Sequence, residues 1–471
     1  MRMFQEGIEI LIRNRGSSGT KIIEKIKTKL SGDIHFKELV QGGLTFLILR
    51  ILGMGVAYAF TLTVTRNLGA SAWGIFALNF TVLQITSVIG RLGLDTALLR
   101  FIAEYNAQGK GKTAKYVYFK SISLVIPFSL TLSVTLYFLA PILAESVFNK
   151  KYLNPYIRLM AFGVLPFTLL FINSESLRAF KKIKEYTTFQ NLFPFLVALF
   201  VVWTSFTFLN FKKTELVLIA FILGIVTSLI FSSVFLWKEL KKLSGKKENI
   251  NIRYILSVSF PMLMSSSLAF IMAWTDTIML GIFRTEEEVG IYNVAVRLSM
   301  ITSFTLVAIN SIAAPKFAEF WGKKDIKGLA RVAQQSTKLI FWTSFPVLLI
   351  FLIFPKPILY IFGEEFKTGA LALMILTIGQ FVNAAAGSVG YILQMTGHQK
   401  FHQNVVLIGT LLNILLNWML IPAYGIVGAA IASAISMIFW NIVFSVKVAS
   451  ILNKSIFYIP FYREKFDDQY S

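Results

Sequence analysis

Long apolar stretches alternate with short polar connections along almost the whole chain. About twelve of these stretches approach the ~20 residues that a helix needs to cross the hydrocarbon core of a bilayer. The pattern predicts an all-α polytopic membrane protein. The predicted spans are Leu39–Thr65, Ala72–Leu99, Val117–Ala140, Tyr156–Leu177, Tyr186–Leu209, Glu215–Trp237, Tyr254–Ile282, Val289–Ala314, Ala333–Phe354, Ala370–Met395, Gln403–Ile421 and Gly425–Ser450.

Composition agrees with this class of protein. Apolar residues make up 55% of the chain and charged residues only 15%, whereas a soluble domain averages roughly 25% charged residues. The absence of cysteine excludes disulfides and thiolate metal sites. A net charge of +22 would suggest nucleic acid in a soluble protein. In a membrane protein it indicates basic loops on the cytoplasmic side, so we predict no nucleic-acid partner.

Lysine and arginine are concentrated in the termini and in every second connection. The other connections carry only Arg66, Lys150, Lys151, Lys212, Lys213, Arg284, Lys356 and Lys367. The positive-inside rule then predicts a multi-pass plasma-membrane protein with both termini in the cytoplasm. The predicted organisation is a basic tail at 1–38 with an interfacial helix near Thr20–Leu30, an N-lobe at 39–237, a basic linker at 238–253, a C-lobe at 254–450 and a cytoplasmic tail at 451–471.

Short motifs recur between the two halves of the chain at one offset. Gly74-Ile75-Phe76 returns 216 residues later as Gly290-Ile291-Tyr292, and LRAFKKIKEY at Leu177–Tyr186 lies opposite LQMTGHQKFH at Leu393–His402. Six spans per half, both starting in the cytoplasm, predict a parallel repeat about an axis normal to the membrane. Transporters of this design bind substrate between the lobes and alternate access by moving one lobe against the other.

Four charged side chains lie inside predicted spans: Arg50, Arg91, Asp276 and Arg297. A charge near the bilayer centre costs about 2.5–3.5 kcal/mol, so such residues usually have a task. Arg91 and Asp95 are one helical turn apart and can pair on their own helix. Asp276 and Arg297 lie at similar depth and are predicted to pair across adjacent helices. For Arg50 no carboxylate is evident at its depth, which favours a solvated cavity.

Arginine suits phosphate because its planar guanidinium donates two parallel hydrogen bonds and stays protonated. Arg50 and Arg297, with Arg91, are therefore candidates to bind a diphosphate. Asp276 is a candidate for charge balance or for a coupling ion, H⁺ or Na⁺, and Asp95 and Glu175 are further charge-balancing candidates. Pro261, in the same span as Asp276, is a candidate hinge. The other interpretation is that these charges are structural and touch no substrate.

Three segments resemble the Wzx-type oligosaccharide flippases. They are TRNLGASAWGIFAL at Thr65–Leu78, GRLGLDTALLRFIAEY at Gly90–Tyr105 and LRAFKKIKEY at Leu177–Tyr186. These flippases form the polysaccharide-transporter branch of the MATE-like multidrug/oligosaccharidyl-lipid/polysaccharide superfamily. The resemblance implies twelve helices in two pseudo-symmetric lobes around a cationic cavity, lined by residues at the positions of Arg50, Arg91, Asp276 and Arg297.

The resemblance also implies a substrate: a polyprenyl-diphosphate-linked oligosaccharide moved from the cytoplasmic to the outer leaflet for surface glycan assembly. Implied partners are membrane lipids and the glycosyltransferases or polymerase of the same pathway. With no nucleotide-binding motif, catalytic constellation, cofactor or metal site, the chain is predicted to be a secondary-type transporter and not an enzyme. Three alternatives stay open: an ion-coupled multidrug or cation antiporter, a lipid II flippase, and a non-transporting membrane scaffold.

Overall fold

The computed structural model of the protein describes residues 34–453, and this part of the chain is built almost entirely of helices. The predicted interfacial helix Thr20–Leu30 and most of the predicted C-terminal tail lie outside the described residues. The N-terminal half contains α1 (Ile34–Arg91), α2 (Leu94–Ala107), α3 (Gly111–Ile142), α4 (Asn154–Ala161), α5 (Val164–Ala179), α6 (Ile183–Thr187), α7 (Phe193–Phe208) and α8 (Thr214–Lys241).

The C-terminal half follows a short linker. It contains α9 (Ile252–Phe283), α10 (Glu286–Ser299), α11 (Phe304–Gly322), α12 (Ile326–Ile353), α13 (Pro355–Tyr360), α14 (Ala370–Ala386), α15 (Val389–Met395) and α16 (Gln399–Leu452). By length and composition, eight helices of the described region can cross a membrane, or nine if α4 and α5, bent by 44°, form one span with the short turn before them. The all-α membrane class is therefore confirmed, while the count of twelve spans stays a prediction.

Two of the long helices are interrupted at a single glycine. In α1 the break lies at Gly69, with φ 80° and ψ −179°, and in α16 it lies at Gly425, with φ 54° and ψ −131°. Glycine adopts positive φ without the steric cost that a Cβ brings. The breaks between successive spans predicted at Thr65–Ala72 and Ile421–Gly425 therefore coincide with these kinks, although each link is a single non-helical residue and not a loop of several residues.

The predicted span Ala72–Leu99 is too long at its C-terminal end. Leu92 and Gly93 take positive φ angles of 54° and 70° and separate α1 from α2. Glycine is required here for a second reason, because a Cβ on Gly93 would lie 2.2 Å from the carbonyl oxygen of Ser259 on α9. The predicted span Ala370–Met395 is likewise divided, since α14 ends at Gly387 with φ 73°.

The two halves meet most closely where α1 passes α10. A Cβ built on Gly74 would lie 1.7 Å from the carbonyl oxygen of Glu286, and one built on Gly290 would lie 2.1 Å from that of Ala70. Gly74 and Gly290 are the equivalent glycines of the internal repeat, so the repeated motif packs against its own copy. We call this side of the bundle the Gly69 end and the opposite side the linker end.

The linker is attached to the N-terminal half. Lys110, just before α3, forms a backbone bridge with Gly245 and an ion pair of 2.8 Å with Glu248. The Thr113 hydroxyl donates to the Lys246 carbonyl at 3.2 Å and accepts from the Glu248 amide at 2.9 Å. These contacts place the start of α9 against the N-terminal half, although the rest of α9 belongs to the second repeat.

Candidate functional site

A buried carboxylate is the centre of a polar cluster in the C-terminal half. Asp276 on α9 accepts hydrogen bonds from the Tyr292 hydroxyl at 2.5 Å, the Asn417 amide at 2.6 Å, the Ser433 hydroxyl at 2.5 Å and the Asn413 amide at 3.4 Å. Asn413, Asn417 and Ser433 all belong to α16, on the two sides of the Gly425 break. The kinked helix therefore holds three donors against α9.

The cluster contains one acid and no base. Asp276 is only 7% exposed, and it forms no ion pair with any cation whose side chain the structure describes. The Oδ1 atom of Asn417 is buried there and has no hydrogen-bond donor. A buried carboxylate without a counter-charge is costly, and four neutral donors offset only part of that cost. The arrangement can take up a proton or a small monovalent cation.

The predicted ion pair between Asp276 and Arg297 is wrong. The Arg297 guanidinium lies over the Trp73 ring, 5.2 Å from its centroid, and its Nε donates to Asn293 Oδ1 at 3.1 Å. Its backbone carbonyl accepts a hydrogen bond of 2.6 Å from the Tyr58 hydroxyl. Arg297 therefore lies at the boundary between the halves, and it forms no ion pair with any acid in the described region.

Helix α10 presents these two groups in nearly opposite directions. Tyr292 and Arg297 are five residues apart, which places them about 140° apart around a helix. Tyr292 contacts Asp276 inside the C-terminal half, whereas Arg297 contacts Trp73 in the N-terminal half. Depth along the membrane suggested that Asp276 and Arg297 pair, but the direction of each side chain around α10 prevents it.

A second charged cluster lies in the N-terminal half, towards the linker end. The predicted pair of Arg91 and Asp95 is confirmed at 3.0 Å. It bridges the break between α1 and α2, so the two residues are not on one continuous helix. The Arg91 guanidinium also lies 4.2 Å from the centroid of the Phe171 ring. Arg91 is therefore buried and fully occupied by its neighbours, which favours a structural task.

Glu175 on α5 belongs to the same neighbourhood. Its carboxylate pairs with Arg178 at 3.3 Å and forms hydrogen bonds with Gln190 and Tyr186. Arg50 on α1 is exposed and interacts electrostatically with Tyr186. Arg50 therefore lies near the residues that contact Glu175, and its place at a solvated cavity stays a prediction.

The two candidate diphosphate arginines lie at different levels of the bundle. Arg50 is eight residues before Tyr58 on α1, which is about 12 Å along a helix axis. Tyr58 contacts the backbone of Arg297. Arg297 therefore lies nearer the Gly69 end and Arg50 nearer the linker end.

Several residues of the site were missed by the sequence interpretation. Asn413 and Asn417 are one helical turn apart in an apolar span, and this spacing was the available signal. Tyr58 and Trp73 look like ordinary core aromatics, and their contact with Arg297 could not be read from the chain. The side chain of Pro261 lies outside the described set, and the backbone of α9 is helical through this position. Its role as a hinge stays a prediction.

Fold and sites together define a multi-pass helical membrane protein of MATE-like architecture. A family model described as "Polysaccharide biosynthesis protein" matches residues 39–321, and a second, described as "MatE", matches residues 261–419. The chain belongs to the polysaccharide biosynthesis protein family, which agrees with the resemblance seen in the sequence.

One curated relative and two solved structures extend the comparison. The chain is 26% identical over 403 residues to the probable low-salt glycan biosynthesis flippase Agl15 of Haloferax volcanii, covering 85% of this chain and 81% of the relative. An inward-facing multidrug resistance MATE family transporter shares the fold with a TM-score of 0.71 and 16% identity, over 86% of this chain and 98% of its own. The inward closed lipid II flippase MurJ gives a TM-score of 0.68 and 17% identity, over 87% of each chain.

Proposed function

We propose that the protein is a flippase that moves polyprenyl-diphosphate-linked oligosaccharide from the cytoplasmic to the outer leaflet by alternating access. One observation carries the proposal: Arg297 lies between the two halves with an aromatic ring and a neutral amide as its side-chain contacts. Arg297 is partly buried, and a guanidinium held partly away from water without a counter-charge is costly. An anionic substrate between the halves supplies that charge. The family and the similarity to a glycan flippase support a diphosphate-linked glycan as this anion.

The orientation follows from the distribution of basic residues. Lysines and arginines crowd the linker end, so the positive-inside rule places this end in the cytoplasm of a plasma-membrane protein. Arg50 then lies nearer the cytoplasmic leaflet and Arg297 nearer the outer leaflet. The diphosphate first contacts Arg50 and is passed to Arg297 when the halves reorient. The prenyl chain stays in the lipid while the glycan crosses between the halves.

Asp276 couples this movement to an ion gradient in the proposed mechanism. Its carboxylate contacts α10 through Tyr292, and the opposite face of α10 carries Arg297 and Gly290. A proton or Na⁺ at Asp276 changes the hydrogen bond to Tyr292 and so the position of α10. The same movement of α10 changes the position of Arg297 and the contact that Gly290 makes with the other half. Substrate release and ion binding are thereby linked through one helix.

The cation antiporter is a second candidate, and the same carboxylate favours it. A buried acid surrounded by neutral donors can bind a cationic substrate instead of a coupling ion. Reconstitution into liposomes separates the two functions. The flippase moves a fluorescent prenyl-diphosphate-linked oligosaccharide between leaflets and leaves a fluorescent drug cation in place. Movement of the cation alone would contradict the flippase.

We expect Arg297→Ala to lower the rate of flipping at least about tenfold, which corresponds to about 1.4 kcal/mol of lost binding to the diphosphate. Arg297→Lys should recover only part of the rate, because an ammonium cannot donate two parallel hydrogen bonds. Arg50→Ala should also slow flipping. The measurement is leaflet exchange of the labelled glycan lipid in liposomes.

Arg100→Ala is the matched control for these variants. Arg100 is exposed at the linker end and pairs with Glu104 at 3.6 Å on the same helix. Its removal should leave flipping within about twofold of the unchanged protein, since exposed pairs contribute little. Full activity of Arg297→Ala, in protein that elutes as a single species, would sink the anion site.

A further inference from the structure

The contact between the halves at the Gly69 end includes a largely buried ion pair. Lys150 of the N-terminal half lies 2.9 Å from the Glu286 carboxylate of the C-terminal half, with side chains only 14% and 10% exposed. The Lys150 ammonium also donates to the carbonyls of Gly281 and Arg284, at 3.0 and 2.5 Å. The Tyr152 hydroxyl donates to the same carboxylate. We call these contacts the Lys150 clasp.

A second set of contacts joins the halves in the reverse direction. Glu365 of the C-terminal half accepts the backbone N–H of Ala70 at 3.1 Å. The Arg66 guanidinium donates to the carbonyls of Ile361 and Tyr360, at 2.6 and 3.0 Å. These contacts are the Glu365 clasp.

The two clasps are related by the internal repeat. The offset of 216 residues takes position 70 to position 286 and position 150 to position 366, next to Glu365. In the N-terminal half, the connection after α3 carries Lys150 and contacts the start of α10. In the C-terminal half, the connection after α13 carries Glu365 and contacts α1 just after the Gly69 break. The chemistry differs, because Lys150 meets a carboxylate whereas Glu365 meets a backbone amide. Only the Lys150 clasp contains an ion pair that is removed from water.

We propose that the Lys150 clasp is the outer gate latch of the transport cycle. The proposal rests on the alternating access and orientation proposed above. When the halves separate at the Gly69 end, Lys150 and Glu286 become hydrated and lose their mutual contact. Removing one partner thus destabilises only the closed state, since it leaves a buried charge without a counter-charge. The expected consequence is a larger fraction of molecules open to the outside, whether or not substrate is transported.

The test uses the natural absence of cysteine in the chain. Val294 is 1% exposed and follows Gly290 by one turn on the face of α10 that meets the N-terminal half. Val294→Cys gives a thiol that a membrane-impermeant maleimide reaches from outside only when this end opens. In intact cells, we expect Lys150→Met or Glu286→Gln to raise its labelling rate at least about tenfold, or about 1.4 kcal/mol in the closing equilibrium.

Lys151→Met is the matched control, because Lys151 is the next residue and its ion pair with Glu145 is exposed and stays within the N-terminal half. It should leave the labelling rate unchanged. Combining Lys150→Met with Glu286→Gln should accelerate labelling no more than either change alone, because the two residues act as one pair. A thiol at the 83%-exposed position 151 must label from outside, which checks the orientation.

Unchanged labelling in the well-folded Glu286→Gln variant would overturn the latch, as would equal acceleration by Lys151→Met or multiplicative effects in the double variant. If Lys150→Met does not fold, Glu286→Gln alone decides, since it keeps the size of the side chain. The labelling rate reports opening of the Gly69 end and does not measure movement of glycan lipid. A failure of the latch is therefore distinguishable from a failure of the proposed flippase activity.

Discussion

Asp276→Asn is expected to abolish the response of transport to an ion gradient and to lower the rate of flipping about a hundredfold. The substitution keeps the size of the side chain and removes the only charge of the cluster. The Asn oxygen can still accept from Asn413 and Asn417, and the hydroxyls of Tyr292 and Ser433 can rotate to accept from the new NH2 group, so the protein should still fold. The measurement is flipping of labelled glycan lipid in liposomes, with an imposed H⁺ or Na⁺ gradient and without one.

Asp325→Asn is the matched control for this change. Asp325 begins α12, where its side chain accepts the backbone N–H of Gly328 at 2.8 Å. Asparagine caps a helix as well as aspartate does, so neither stability nor transport should change. Dependence of the unchanged protein on only one of the two gradients identifies the coupling ion. A gradient response retained by Asp276→Asn would remove Asp276 from the coupling mechanism.

The fold class could be predicted because it depends on the length and spacing of apolar segments, which the chain shows directly. The break points could not be predicted in the same way. Pro422, Ala423 and Tyr424, between two apolar stretches, suggest a turn, yet at Gly425 the helix resumes after one residue. Whether a short link forms a loop or a one-residue break depends on a backbone angle and on the helix packed beside it. The hydropathy of the sequence gives neither the backbone angle nor the neighbouring helix.

The charged residues likewise fall into two groups: those with local partners, which the sequence predicts, and those with distant partners, which it does not. The pair of Arg91 and Asp95 is local in the sequence, so a spacing of four residues was sufficient to predict it. The pairing of Asp276 with Arg297 required the rotation of α10 as well as the depth of both residues. Periodicity places Tyr292 and Arg297 on different faces, but only tertiary packing shows which of the two faces α9. The polar partners on α16 come from more than 130 residues away and needed the folded structure.

The contact of the two repeated glycines leads to the second large expected effect. A methyl group at position 74 would overlap the carbonyl oxygen of Glu286, with a separation of 1.7 Å. Backbone atoms of a packed helix cannot move aside cheaply, so the two halves must separate by a comparable distance. We expect Gly74→Ala to lower flipping at least about tenfold, since overpacking of this kind costs about 1–3 kcal/mol. The substitution therefore destabilises the state in which the halves are closed at the Gly69 end.

Gly290→Ala should produce the same defect, because its methyl group would lie 2.1 Å from the Ala70 carbonyl. The double variant should be little worse than either single variant, because halves already held apart by one methyl group have room for the other. Gly55→Ala is the control on the same helix as Gly74: nothing lies within 4 Å of its Cβ. There alanine should stabilise the helix by up to about 1 kcal/mol and leave flipping unchanged.

Two measurements separate a gating defect from simple unfolding. Gly74→Ala should still elute as a single species, and a thiol introduced at Val294 should label faster from outside, because the closed state is lost while each half keeps its own core. Loss of flipping with unchanged labelling would assign the defect to substrate binding instead. Normal flipping by Gly74→Ala would show that the halves need not approach this closely during transport, and the tight contact of the repeated motif would then have no part in the cycle.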